Sequence, residues 1–314
     1  FRAACVAALI ARDRYCGQPT AMLDFDRIAA LTFTTKTARC GGCENNCLLT
    51  VSTFSDGGRY ISGNRCEKRV KNAGAAQPGA NMMAYKRQRL FDYPALEENE
   101  AKRGVIGIPR VLNLYENYPY WATFFRQLGF RVVVSPFSTR AIYEMGMESI
   151  PSESECYPAK LAHGHVEWLA QHGVTTIFHP CVFYEYQETP DAQNHYNCPM
   201  VVSYPENLKN NVEAITSGRV RYIRPFIAFT SEKTAEERLV KLCRDVWDIP
   251  TAEVRAAARA AWSEQRRAKD DIRAEGRRLL AEMERAGKRG IVLAGRPYHI
   301  DPEINHGIPE LIAS

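Results

Sequence analysis

Cys40, Cys43, Cys47 and Cys66 stand at the spacing C-x2-C-x3-C-x18-C, close enough in the chain to converge on one metal site. Four thiolates from two neighbouring segments complete a tetrahedral shell around Zn2+, or ligate a four-iron cluster. Gly41, Gly42 and Gly63 let the backbone wrap tightly enough for its N–H groups to reach sulfur. The hairpin signal between the two halves resembles a zinc ribbon, whereas three cysteines within eight residues favour cluster ligation. The balance leans to iron–sulfur, with zinc as the alternative. Ten cysteines among 314 residues would also suit a disulfide-stapled secreted protein. A chain this long and 45% apolar needs no such staples, so metal is the better reading.

A second set is dispersed: Cys156 in ESECYPAK, Cys181 in HPC and Cys198 in NCP. Cys156 precedes a helical pattern, where free N–H groups and the helix dipole favour an anionic ligand. Cys181 follows an apolar strand pattern, at the edge where parallel sheets bind ligands. Cys198 precedes the run Met200–Ser203, read as a strand, which directs it toward the opposite edge unless the loop folds back. These three are the cofactor-ligand set, and Cys5, Cys16 and Cys243 read as plain core or surface residues. His163, His165 and His179 are expected to be structural. No H-E-x-x-H motif, serine elbow, Walker A loop or G-x-G-x-x-G is present, so ATP and dinucleotide sites within these residues have no support.

The elements that must position these residues follow from the apolar patterning. Leu48–Phe54 and Arg59–Ile61 flank Ser55-Asp56-Gly57-Gly58, a hairpin signal. Short apolar strands are expected at Val105–Ile108, Phe130–Val134, Val174–Phe178 and Met200–Ser203, alternating with helices at Tyr120–Leu128, Cys156–Gln171 and Pro205–Thr216. That alternation predicts an α/β fold: a parallel-sheet, flavodoxin- or Rossmann-like domain with helices on both faces, preceded by the small cysteine-rich metal module. The expected division is 1–30 as the tail of a preceding module, 31–70 the metal module, 71–103 a linker, 104–230 the α/β domain, 231–289 helical, and 290–314 the start of a second α/β domain. In that last segment Ile291–Ala294 reads as a strand. The following loop would lie at the carboxyl edge of the second sheet, with Arg296, His299 and His306 as functional candidates or else as parts of a structural turn.

A net charge of +5, with acids mixed among the bases, gives no reason to expect nucleic acid. No run approaches the roughly 18 apolar residues of a membrane helix, and no signal peptide opens the chain. The expected location is the cytoplasm. The chain opens inside a helical pattern and closes inside another, which reads as an interior piece of a longer polypeptide.

The segments CGGCENNC, GNRCEK, GIPRVLNLYENYPYW, SPFSTR, PSESECYPAKLAHGH, FHPC, NCP with SYPEN, and AGRPYHIDPEINHG together resemble the acyl-CoA dehydratase activase-related proteins, or CoA-substrate-specific enzyme activases. The resemblance implies ATP-binding activase modules outside these residues and a part similar to 2-hydroxyacyl-CoA dehydratase and double-cubane-cluster subunits. It implies an electron-accepting, iron–sulfur-binding segment, with a four-iron or double-cubane cluster on cysteines at the strand ends. The implied partners are the activase modules and the dehydratase-like domain of the same polypeptide, and a homo-oligomer is compatible with this. Catalysis by these residues alone is not expected. The alternative, from another functional class, is a non-catalytic docking module stabilised by zinc.

Overall fold

The computed structural model describes residues 24–40, 47–63 and 79–313, in two units divided between Ala73 and Gly74. Cys5, Cys16, Cys43 and Cys66 lie outside the described residues.

In the first unit, α1 (Phe25–Ala30) is capped by Asp24, whose carboxylate accepts the Arg27 N–H at 2.8 Å. A three-stranded antiparallel sheet follows, ordered β1 (Phe33–Arg39), β2 (Leu48–Phe54), β3 (Arg59–Ser62). The expected β2–β3 hairpin is present. Gly57 turns with φ +85°, and Asp56 accepts the Gly58 N–H at 2.8 Å. Strand β1 was not foreseen, because FTTKTAR is exposed throughout and shows no apolar alternation.

The second unit is built on four short parallel strands in the order β5 (Arg131–Val134), β4 (Val105–Ile108), β6 (Thr176–Phe178), β8 (Arg221–Ile223). A further parallel pair, β7 (Cys181–Tyr184) with β9 (Phe226–Ala228), extends from the ends of β6 and β8. The α/β class with a parallel sheet is as expected. Strand β4 leads toward β5 on one side, while β6 leads toward β8 on the other. Their carboxyl ends, Pro109–Asn113 and His179–Cys181, therefore flank the topological switch point.

Helix α3 (Leu114–Gln127) is buried on nearly every side, between the sheet and the long α9 (Thr251–Arg285). Pro119 lies inside it, removing one N–H and pushing the neighbouring turn open. Gln265 of α9 repairs the gap: its Oε1 accepts the Tyr120 N–H at 3.1 Å and its Nε2 donates to Glu116 O at 2.9 Å. These are the two groups that an unbroken helix would pair with each other. Small residues on α9, Ala257, Ala258 and Ala261, allow the close approach. Around this contact, Tyr120, Trp121, Phe124, Phe125, Phe178, Phe229, Trp247 and Trp262 touch in a chain of edge-to-face and tilted rings, with centroids 4.7–6.3 Å apart.

Three sequence expectations are corrected. Met200–Ser203 is not a strand but lies in helix α6 (Pro199–Asn211), which buries Val201, Tyr204, Pro205 and Leu208 at spacing i, i+3, i+4, i+7. The segment expected as a linker contains α2 (Met82–Phe91), capped by Asn81. Ile291–Ala294 forms no strand: Ile291 and Val292 are exposed, and the following Pro297–Ile300 is a 3-10 turn leading to Asp301, which is bonded to Tyr115 and Ser138 beside the parallel sheet.

Candidate functional site

In the first unit, the pairing of Arg39 with Leu48 brings Cys40 and Cys47 opposite each other just beyond the ladder. The Cys40 N–H donates to Cys47 O at 2.9 Å. Two members of the expected four-cysteine set are thus held together by the β1–β2 pairing, and Cys43 and Cys66 fall outside the described residues.

In the second unit, Cys156 occupies the N-cap of α5 (Tyr157–Gln171) and Cys198 the N-cap of α6. Each is followed by proline in the first turn, and neither helix has a side-chain cap hydrogen bond. Proline suits this position because the N–H it lacks has no intrahelical partner anyway. Cys156 is exposed and Cys198 half-buried. Two hydrogen bonds fasten the helices to each other: Tyr204 OH and Asn207 Nδ2 of α6 donate to the two carboxylate oxygens of Glu155, at 2.6 and 2.9 Å. Cys198 therefore lies not toward the opposite edge but at a helix start matching that of Cys156. Its placement follows from α6 replacing the expected strand. Both sulfurs act on one hydroxyl, that of Tyr298, whose pKa rises through burial first and then through the two cysteines.

Tyr298 belongs to a segment that crosses the carboxyl end of the sheet and is fastened at two further points. Asp301, fully buried, accepts from the Tyr115 hydroxyl and from the Ser138 N–H at 3.2 Å. Glu303 accepts from Tyr157 OH at 2.9 Å. Behind Asp301 lies His165, also fully buried and bonded on both ring nitrogens, to Ser135 Oγ at 2.8 Å and Ser138 Oγ at 2.9 Å. Ser135 Oγ also accepts the Arg110 N–H at 2.8 Å, which ties the imidazole to the end of β4. Burial pushes the His165 pKa down to about 3, keeping the ring neutral. Arg110 is clamped between the rings of Phe91 and Phe137, 4.1 and 3.8 Å from their centroids, and donates from Nε to Ser135 O at 2.9 Å.

Cys181 lies elsewhere. It starts β7, is fully buried, and faces Arg224 and Glu206, which pair at 2.7 Å. Burial pushes its thiol up to about 12. Among the described residues no three of the His, Cys, Asp and Glu side chains are grouped to hold a metal, so Cys181 is not brought into the Cys156–Cys198 pair.

The remaining candidates have structural surroundings. His163 bonds Ser149 and Tyr204, His179 bonds Tyr222 OH at 2.8 Å, and Cys243 is buried in the core. His299 accepts the Arg296 N–H on its own turn at 2.9 Å, which matches the turn reading of that loop. The residues missed by sequence reasoning are Tyr298, Asp301 and Glu185. Glu185 ends the β7 segment and accepts from the amides of Asn113, Asn117 and Asn197. The signal for Asp301 was an acid set between Ile300 and Pro302 in an otherwise apolar turn. For Glu185 there was none, since its three partners come from distant segments. A crevice of about 10 Å3, room for one water, opens beside Asn113, Asn117 and His179 at the switch point. A larger cavity of about 340 Å3 lies between Tyr93–Leu96, Tyr118 and Arg267, and no described cysteine lines it.

Residues 105–314, two-thirds of the chain, match the family described as the CoA enzyme activase uncharacterised domain. No curated protein and no solved structure matches the chain.

Proposed function

The chain belongs to the CoA enzyme activase uncharacterised-domain family, and on that footing we propose that it is an iron–sulfur-binding, electron-accepting segment of an ATP-driven 2-hydroxyacyl-CoA dehydratase or double-cubane-type reductase system. The observation that carries the reading is the pair of cysteine-capped helix starts, Cys156 and Cys198, fastened through Glu155 and sharing Tyr298 as neighbour. A bound cluster would supply one-electron transfer at low potential. The protein's share is to hold the two helix starts together through Glu155 and to place Tyr298 within the electrostatic reach of both cysteines. The proposed partners are the activase modules and the dehydratase-like domain, a reading the family description supports. ATP would be bound outside these residues.

Anaerobic purification followed by iron, sulfide and zinc analysis tests the reading. Cys156→Ala and Cys198→Ala should each lose the iron of this site, while Cys181→Ala retains it and Cys40–Cys66 metal persists. Equal iron in the wild type and in both helix-start variants would sink it. Zinc alone, at one per chain, would favour the docking-module reading, for which the Cys40–Cys47 closure of the first unit is the supporting observation.

A further inference from the structure

We propose that Glu185 is the positioning residue that fixes Cys198 at the start of α6, acting through Asn197. The inference rests on the reading of Cys198 given above and adds to it a residue outside the cysteine pair.

Chain geometry makes the need clear. Between Glu185 and Cys198 runs an excursion, Tyr186–His195, most of it exposed. Cys198 is the first residue after its return, so its position depends on how that return is held. The backbone supplies an antiparallel bridge of Tyr184 with Tyr196, and pairs Glu185 N–H with His195 O at 2.9 Å and Asn197 N–H with Phe183 O at 3.1 Å. These bonds close the excursion on itself but do not tie it to the sheet's switch point. The Glu185 carboxylate does. Its Oε1 accepts from Asn113 Nδ2, from Asn117 Nδ2 at 3.1 Å and from Asn197 Nδ2 at 2.9 Å, and its Oε2 accepts from Asn117 at 3.2 Å.

Asn113 and Asn117 are one turn apart at the start of α3, the helix leaving β4. Asn113 is the N-cap residue of that helix, yet it makes no cap bond and gives its amide to Glu185 instead. The preceding Leu112 has φ +48°, a conformation costly for a branched side chain, which aims this turn at the carboxylate. Asn197 cannot reverse its amide: the same Nδ2 also donates to Val182 O at 2.9 Å, and a flipped carbonyl oxygen would face that carbonyl. One carboxylate thereby joins the end of β7, the start of α3 and the residue before Cys198. Burial raises the Glu185 pKa, and the three amide hydrogen bonds oppose that rise.

The test reads thiol reactivity rather than turnover. In metal-free full chain, iodoacetamide alkylation of Cys198 and Cys156 is followed by peptide mass spectrometry, Cys156 serving as the internal reference. Glu185→Ala and Asn197→Ala should each raise the Cys198 rate about tenfold, the factor equivalent to about 1.4 kcal/mol, with Cys156 unchanged. The double variant should add little to either single one, because both cut the same link. Glu185→Gln, which keeps the shape and one oxygen acceptor, should give a smaller rise in the same direction and stands in if the alanine variant fails to fold. An unchanged ratio of the two rates, equal increases at both cysteines, or multiplicative effects in the double variant would overturn the proposal. If the wild type holds no iron at this site yet the ratio moves as described, the iron reading fails and the positioning role stands.

Discussion

Replacing Gln265 with leucine removes the side chain that bridges the break at Pro119, at little change in volume. The substitution leaves two main-chain groups of α3 without a partner: the Tyr120 N–H, on a residue 1% exposed, and the Glu116 carbonyl. An unsatisfied buried group costs about 1–3 kcal/mol, so Gln265→Leu should destabilise the second unit by about 2–6 kcal/mol. For a unit of this size about 2–4 °C of melting temperature go with each kcal/mol, which calorimetry resolves readily. The mechanism has a sharper signature than the loss itself. In a Pro119→Ala background the helix regains its N–H and can close the Tyr120-to-Glu116 bond unaided. Gln265→Leu should then cost about 1 kcal/mol or less, a coupling measurable in a double-mutant cycle. Equal losses in the two backgrounds would refute the reasoning, since Gln265 would then be ordinary packing.

The close crossing of α4 (Arg140–Gly146) and α5 gives a prediction of opposite signs for one substitution. A Cβ on Gly164 would lie 1.7 Å from Ile142 O, so Gly164→Ala should destabilise by about 1–3 kcal/mol or more in spite of alanine's better helix propensity. Gly276→Ala on exposed α9 meets nothing within 4 Å and should stabilise by up to about 1 kcal/mol, and urea titration of the two variants checks the contrast. His163, His165 and His179, depressed by burial to about 4, 3 and 3, stay neutral in the folded state while the unfolded chain takes up protons below its ordinary 6.5. Their contribution is complete above pH 6.5 and is lost as pH falls from there toward 3–4. His165→Gln should flatten the fall in unfolding midpoint between pH 7 and pH 5, and an unchanged slope would refute that assignment.

Strands β4, β5 and β6 were legible because continuous apolar runs bounded by turn residues admit few other readings. The run Met200–Ser203 misled because four residues are too short to separate period 2 from period 3.6. The decisive positions, Tyr204, Pro205 and Leu208, lie beyond it. Ile291–Ala294 has the composition of a strand, but no described strand pairs with it, and pairing is a property of the partner as much as of the run. At the site, Cys156 was legible from the pattern of its own helix. The relation of Cys198 to Tyr298 was not, since it depends on a segment a hundred residues away folding back over the sheet. Asp301 and Glu185 hold no motif. Their significance comes from burial and from convergent donors, which only the tertiary structure supplies.

The aromatic chain around α3 also determines what light can report. All four tryptophans, Trp121, Trp168, Trp247 and Trp262, fall in the second unit, and three of them belong to the connected ring cluster. Indole emission therefore follows the α/β unit alone and carries no signal from the Cys40–Cys47 hairpin. Absorption by thiolate-bound metal at that hairpin would belong to the other unit. The two halves carry separate optical labels, and the order in which they melt can be followed in one unmodified sample.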